Sequence, residues 1–147
     1  MNDAGAPTSF NPAILLIASL AGYIGYPHST THSMSRFGVR GLFYGLRERA
    51  LHSSIRVSLV APRFVDTAIT RQPDFLKQNG PVLDLVAFAS MYRAGDAITR
   101  FALAQDLCKR SVGVFPRGNE DIGDNLEDGY NGAVVSKHMR EVKSVLA

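Results

Sequence analysis

The segment Ala13-Ile14-Leu15-Leu16-Ile17-Ala18-Ser19 decides the fold, together with His32-Ser33-Met34-Ser35-Arg36 and Ile55-Arg56-Val57-Ser58-Leu59-Val60-Ala61-Pro62 that follow it. The first run is continuously apolar and bounded by Pro12 and Gly22. That pattern predicts a strand buried on both faces, as in a parallel sheet. Residues Ala21 to His28 hold Gly22, Gly25 and Pro27 and predict a loop. Ser29, Thr30 and Thr31 are N-cap candidates for the next element. From His32 to about His52 there is no proline, and Phe37, Leu42, Leu46 and Ala50 recur at helical spacing, which predicts a helix. Ile55, Val57 and Leu59 then alternate with Arg56 and Ser58, the pattern of a second strand, and Pro62 stops it.

Outward from this core, Thr67 to Pro81 is polar and proline-bearing and predicts a long irregular connection. Val82 to Gln105 returns to helical spacing and is interrupted near Gly95, so two helices are expected, with Asp96 capping the second. Ser111 to Phe115 is a third strand candidate. Gly118 to Gly132 carries Glu120, Asp121, Asp124, Glu127 and Asp128 without the alternating ligands and closing Glu of a calcium loop, so it reads as a solvated acidic loop. Ala133 to Leu146 has the pattern of a terminal helix. Alternating strands and helices predict an α/β fold: a partial Rossmann-like, doubly wound parallel sheet of about three strands with flanking helices. Residues 1–12 are expected to be a flexible N-terminus and 13–147 the folded unit. Gly38, Gly41 and Gly45 lie inside the first helix, at about 1 kcal/mol each against Ala, and read as close helix packing rather than a phosphate loop.

Composition narrows the function classes. A chain of 147 residues with 46% apolar and 20% charged residues suits one globular domain. The net charge of +3 is spread over scattered arginines with no basic stripe, which argues against a nucleic-acid partner. Cys108 is the lone cysteine, reads as a spectator thiol, and fits a reducing compartment. No paired Cys/His spacing points to a metal. The apolar run from Ala13 lacks the positive flank of a signal peptide and is too short to span a bilayer, so a cytoplasmic protein with no membrane partner is expected.

The order strand–Ser19, His32-x-x-x-Arg36, strand–Pro62 resembles the catalytic half of a classical short-chain dehydrogenase/reductase, over Ala13 to Phe115 and more loosely beyond. The resemblance implies that Ser19 hydrogen-bonds the substrate oxygen. It places His32 where the family has the tyrosine of its Y-x-x-x-K motif and Arg36 where it has the lysine. Ser19, His32 and Arg36 are thus the implied catalytic residues. Arg36, Pro62, Val65 and Thr67 are the implied contacts to NAD or NADP, with Arg63 standing where the family has glycine. Spacing of four puts His32 and Arg36 on one helix face. Histidine is a competent acid/base near neutral pH. Its ring is shorter than a phenol, however, and the charge of Arg36 disfavours imidazolium.

The implied family activity is NAD(P)-dependent oxidation or reduction of an alcohol or ketone. The two replacements lead us to expect a pseudoenzyme, inactive alone. Only 12 residues precede the Ala13 strand, and no glycine-rich strand-to-helix turn occurs in the chain. The expectation is therefore a truncated domain without the dinucleotide-binding half. It would present an apolar strand edge and the helix that intact members use for dimerisation. Expected partners are a second copy or an intact relative. The alternative function is an interaction module that pairs with such a relative through that helix and edge. The small-molecule substrate stays open, because Thr67 to Pro81 corresponds to the family's variable lid.

Overall fold

The computed structural model describes residues 12–26, 29–83, 87–104 and 106–124. The expected flexible segment (residues 1–12, apart from Pro12) and the helix expected over 133–146 lie outside them. The described elements are β1 (Ala13–Ile17), a 3-10 turn at Leu20–Gly22, α1 (Thr30–Arg49), a second 3-10 turn at Ala50–His52, β2 (Arg56–Pro62), α2 (Pro73–Leu83), α3 (Met91–Leu103), β3 (Ser111–Val114) and β4 (Asn119–Asp121).

The sheet runs in the order β1-β2-β3-β4. β1 and β2 pair in parallel, Ala13 opposite Arg56 through Ile17 opposite Val60. β2 and β3 are also parallel, Leu59 opposite Ser111 through Pro62 opposite Val114. Parallel neighbours require crossovers, and α1 and the α2–α3 segment supply them. The α/β architecture is as expected, with one strand more than the sequence pattern gave. β4 pairs antiparallel with β3 inside the stretch read as an acidic loop. Its acidic residues are compatible with a strand because it sits at the sheet's end, with Glu120 and Asp121 exposed.

β2 explains the layering. Val57, Leu59 and Ala61 pack with Ala18, Phe43 and Ala50 on the α1 side. Val60 packs with Ala89, Ala97, Phe101 and Val114 on the α3 side. Phe43 and Leu59 are fully buried, each contributing roughly 1.5–3 kcal/mol. The polar half of the alternation is buried as well, because α3 covers it. Arg56 donates from Nη1 to the carbonyls of Phe101 (2.7 Å) and Ala104 (2.9 Å) and from Nη2 to that of Ala102 (2.9 Å). A cation there satisfies the orphan carbonyls at a helix C-terminus.

Three local expectations are corrected. The 67–81 connection contains α2, whose first turn starts at Pro73, where a missing N–H costs nothing. α3 runs unbroken through Gly95; its N-cap is Ser90, which accepts from Arg93 N at 3.4 Å, whereas Asp96 accepts from Asn119 Nδ2 at 3.0 Å. Gly38, Gly41 and Gly45 have no atom of another described element within 4 Å of where a Cβ would stand, so among the described residues they are not close-packing positions. The tight approach is made by Gly22 instead.

Candidate active site

The candidate site lies at the carboxyl ends of β1 and β2, where open α/β sheets place ligands. Ser19 leaves β1 in extended geometry and caps the 3-10 turn, accepting from Ala21 N at 3.2 Å. Its hydroxyl donates to the Pro62 carbonyl at 3.2 Å. The structure thus brings Ser19 and Pro62 together through the proline's backbone. To donate to a substrate oxygen, Ser19 must release that carbonyl.

α1 delivers the other two side chains. His32, in the helix's first turn, is exposed. Burial of part of its ring and then the Arg36 charge hold its imidazole below the ordinary 6.5. Both causes favour the neutral imidazole. Arg36, one turn on, donates from Nη1 to the Ile17 carbonyl at 3.2 Å, two residues before Ser19. Its Nε is buried and has no acceptor among the described residues. A Cβ on Gly22 would stand 2.7 Å from the Arg36 carbonyl oxygen, so the serine turn and the helix touch backbone to backbone.

Val65 and Thr67 follow β2. Val65 bridges to Ala89, and its carbonyl accepts from Thr70 Oγ1 at 2.9 Å. The Thr67 hydroxyl lies 3.2 Å from Thr70 Oγ1, and Thr67 N donates to that oxygen at 2.9 Å. The turn is self-contained, so the Thr67 hydroxyl already has a partner. Asp66 and Arg71 close its outer side with paired 2.6 Å bonds.

An aromatic wall that the sequence pattern does not announce stands beside these residues. The Phe64 ring lies 6.2 Å from Tyr26, 6.3 Å from Phe75 and 6.1 Å from Phe88, tying the loop after Ser19 to α2 and to the approach to α3. Tyr26 and Phe64 lie in loops without periodicity, and the helical spacing around Phe88 does not say which distant ring it meets. The pattern likewise leaves Asp124 in a solvated loop. The structure buries Asp124 completely, against α1.

For a dinucleotide, the orphaned Arg36 Nε is the informative atom. A buried donor without an acceptor costs about 1–3 kcal/mol, and a ribose hydroxyl is an acceptor of the right kind. The residue standing in for the family's lysine thus fits the sugar. Among the described residues no cluster of His, Cys, Asp or Glu is arranged to hold a metal ion, and no helix is long and apolar enough to cross a membrane.

Residues 8–74 match the family model described as short chain dehydrogenase. A 5'-hydroxyaverantin dehydrogenase of Dothistroma septosporum is 36% identical over 122 residues, covering 82% of this chain and 40% of the relative. That of Emericella nidulans is 32% identical over 124 residues, covering 83% and 41%. The chain thus spans about two fifths of the length of these relatives. Among solved structures, an NADPH-bound short chain oxidoreductase of Pseudomonas aeruginosa, described as containing an atypical catalytic center, superposes with a TM-score of 0.59 at 19% identity, covering 71% of this chain and 44% of that one. At that identity the likeness concerns the fold.

Proposed function

This chain belongs to the short-chain dehydrogenase/reductase family, and from that premise we propose that Ser19, His32 and Arg36 form the substrate side of an NAD(P)-dependent oxidoreductase acting on a secondary alcohol or ketone. The observation that carries this reading is the convergence of the Ser19 turn and the His32–Arg36 helix face at the end of β1, with Arg36 bonded to Ile17. The relatives' name, 5'-hydroxyaverantin dehydrogenase, supports an alcohol as the reduced partner. Arg36 would hold the nicotinamide ribose through its unpaired Nε, with Pro62, Val65 and Thr67 beside the ring. When bound, NAD or NADP supplies or receives the hydride. Ser19 orients the substrate oxygen, and neutral His32 accepts the alcohol proton at an imidazole nitrogen. Arg36 makes the resulting imidazolium unfavourable, so His32 is a weaker base than free imidazole. Ser19 must break its bond to Pro62 first. Both features support our reading that the chain by itself turns over little or nothing. A cytoplasmic setting belongs to the same proposal, with Cys108 as a free thiol.

Titrating NADH and NADPH by fluorescence tests it. Saturable binding that weakens at least tenfold in Arg36→Ala supports the assignment, and binding indifferent to Arg36 refutes it. A second reading, pairing with another copy or an intact relative, is favoured by the exposed Met34, Phe37 and Leu42 on α1 and by Ile14 and Ile17 on β1. Sedimentation shows whether the chain self-associates and whether Phe37→Glu abolishes it. A pull-down with a full-length relative tests the mixed pair. A monomer throughout, with no complex in the pull-down, eliminates this reading.

A further inference from the structure

The buried carboxylate of Asp124 gathers side chains from the end of the serine turn, from α1 and from β3. Tyr23, directly after the serine turn, donates its hydroxyl to Oδ2 at 2.5 Å. From α1, Arg40 donates through Nε to Oδ2 (3.3 Å) and through Nη2 to Oδ1 (3.0 Å), and the Tyr44 hydroxyl donates to Oδ1. Arg47 Nη1 donates to the Asp124 carbonyl. From β3, Ser111 Oγ donates to Oδ2 at 3.2 Å. Arg40 also reaches back to the serine turn, donating from Nη1 to the Gly22 carbonyl at 3.4 Å, and its guanidinium lies 4.1 Å over the Tyr23 ring. Burial alone would raise the carboxyl's pKa. The bonds from Arg40, Tyr23 and Tyr44, with the charge of Arg40, outweigh that and hold it below its ordinary value.

We propose that Asp124 is a positioning residue for the Ser19–His32–Arg36 site, an inference that rests on the reading of that site given above. Tyr23 follows the turn that Ser19 caps, and Arg40 stands one helical turn beyond Arg36. One carboxylate bonded to both fixes the separation between the turn and the helix. The two already touch at Gly22 and Arg36, so Asp124 draws them onto a backbone stop. Without that pull, α1 is held to the turn less firmly, through Arg36 on the Ile17 carbonyl and Arg40 on the Gly22 carbonyl. A misplacement of about 1 Å at a reacting centre costs about a hundredfold. Ser111 anchors the carboxylate to β3 and also hydrogen-bonds Tyr23, so it belongs to the same cluster.

The test uses the full chain and amide hydrogen exchange read by NMR. Asp124→Asn is the direct variant; should it fail to fold, two single-bond variants decide. Tyr23→Phe removes only one hydroxyl from the carboxylate. It is expected to speed exchange at Ala21 N, which donates to Ser19 Oγ, at least tenfold relative to the core amide of Leu59. Ser58→Ala, which loses a bond to the Leu107 carbonyl away from the carboxylate, is expected to leave that ratio unchanged, whatever it does to global stability. An unchanged ratio in Tyr23→Phe, or an equal change in Ser58→Ala, overturns the proposal. NADPH titration of the unmodified chain tests the underlying reading separately. Binding with an unchanged exchange ratio refutes positioning alone. A changed ratio without binding refutes the functional reading and leaves the turn-to-helix tether standing.

Discussion

Gly22→Ala tests the backbone contact on which the site's geometry depends. The new Cβ would stand 2.7 Å from the Arg36 oxygen and 3.0 Å from the Arg36 carbonyl carbon, against 3.4 Å for ordinary contact. Both neighbours are backbone, so neither can swing aside, and α1 must retreat by about 0.7 Å or the turn must deform. Gly22 is not in the left-handed region, so alanine's own conformational preference adds no penalty and the effect is steric. Overpacking of this kind costs about 1–3 kcal/mol. Near 2 kcal/mol, the melting temperature of a chain this size falls by about 4–8 °C. Gly41→Ala is the control. No atom of another described element lies within 4 Å of that Cβ, and the residue is exposed in mid-helix, so about 1 kcal/mol is gained and melting rises by about 2–4 °C. Thermal melts followed by circular dichroism, with urea titration as a second measure, give both numbers. If Gly22→Ala melts at or above the parent, or Gly41→Ala melts below it, the packing argument is wrong.

Two titrations follow from the electrostatics. His32 should titrate below 6.5 in an NMR pH series, and Arg36→Gln should move it partway back up, since burial is the larger cause and survives the substitution. An unmoved His32 would remove Arg36 from the account. Asp124 has a folded-state pKa depressed below 3.8, so the stability it supplies is fully present above that value and is lost as pH falls through the lowered one. Tyr44, pushed up to about 12 by burial and by its bond to Asp124, works at the other end: its contribution holds below 10.0 and is lost as pH rises towards 12. Urea midpoints measured against pH should therefore fall at both extremes. Asp124→Asn should flatten the acid limb, and a limb of unchanged steepness would show that other carboxylates carry it.

The parts of this fold that were legible in the sequence are those whose signal is local. β1, α1 and β2 announce themselves by period and by their glycine and proline boundaries, and the family-like order of Ser19, His32, Arg36 and Pro62 rides on them. What was illegible depends on distance along the chain. Asp124 lies 84 residues from Arg40, so nothing in the acidic stretch around it distinguishes the one carboxylate that is buried from those that are solvated. β4 is too short for a periodic pattern, and α2 begins at a proline that reads equally well as a loop. Arg56 looks like the outward half of an alternating strand until α3 arrives to receive it. The same division runs through the site. The motif names the candidate side chains, but the commitments that limit their chemistry are tertiary: Ser19 to the Pro62 carbonyl, Arg36 to Ile17, Thr67 to Thr70. A histidine in the tyrosine's place is therefore not by itself the reason to expect weak catalysis. The stronger reason is that the serine's proton is already bonded to Pro62 and that Arg36, held beside His32, disfavours the imidazolium which proton abstraction would create.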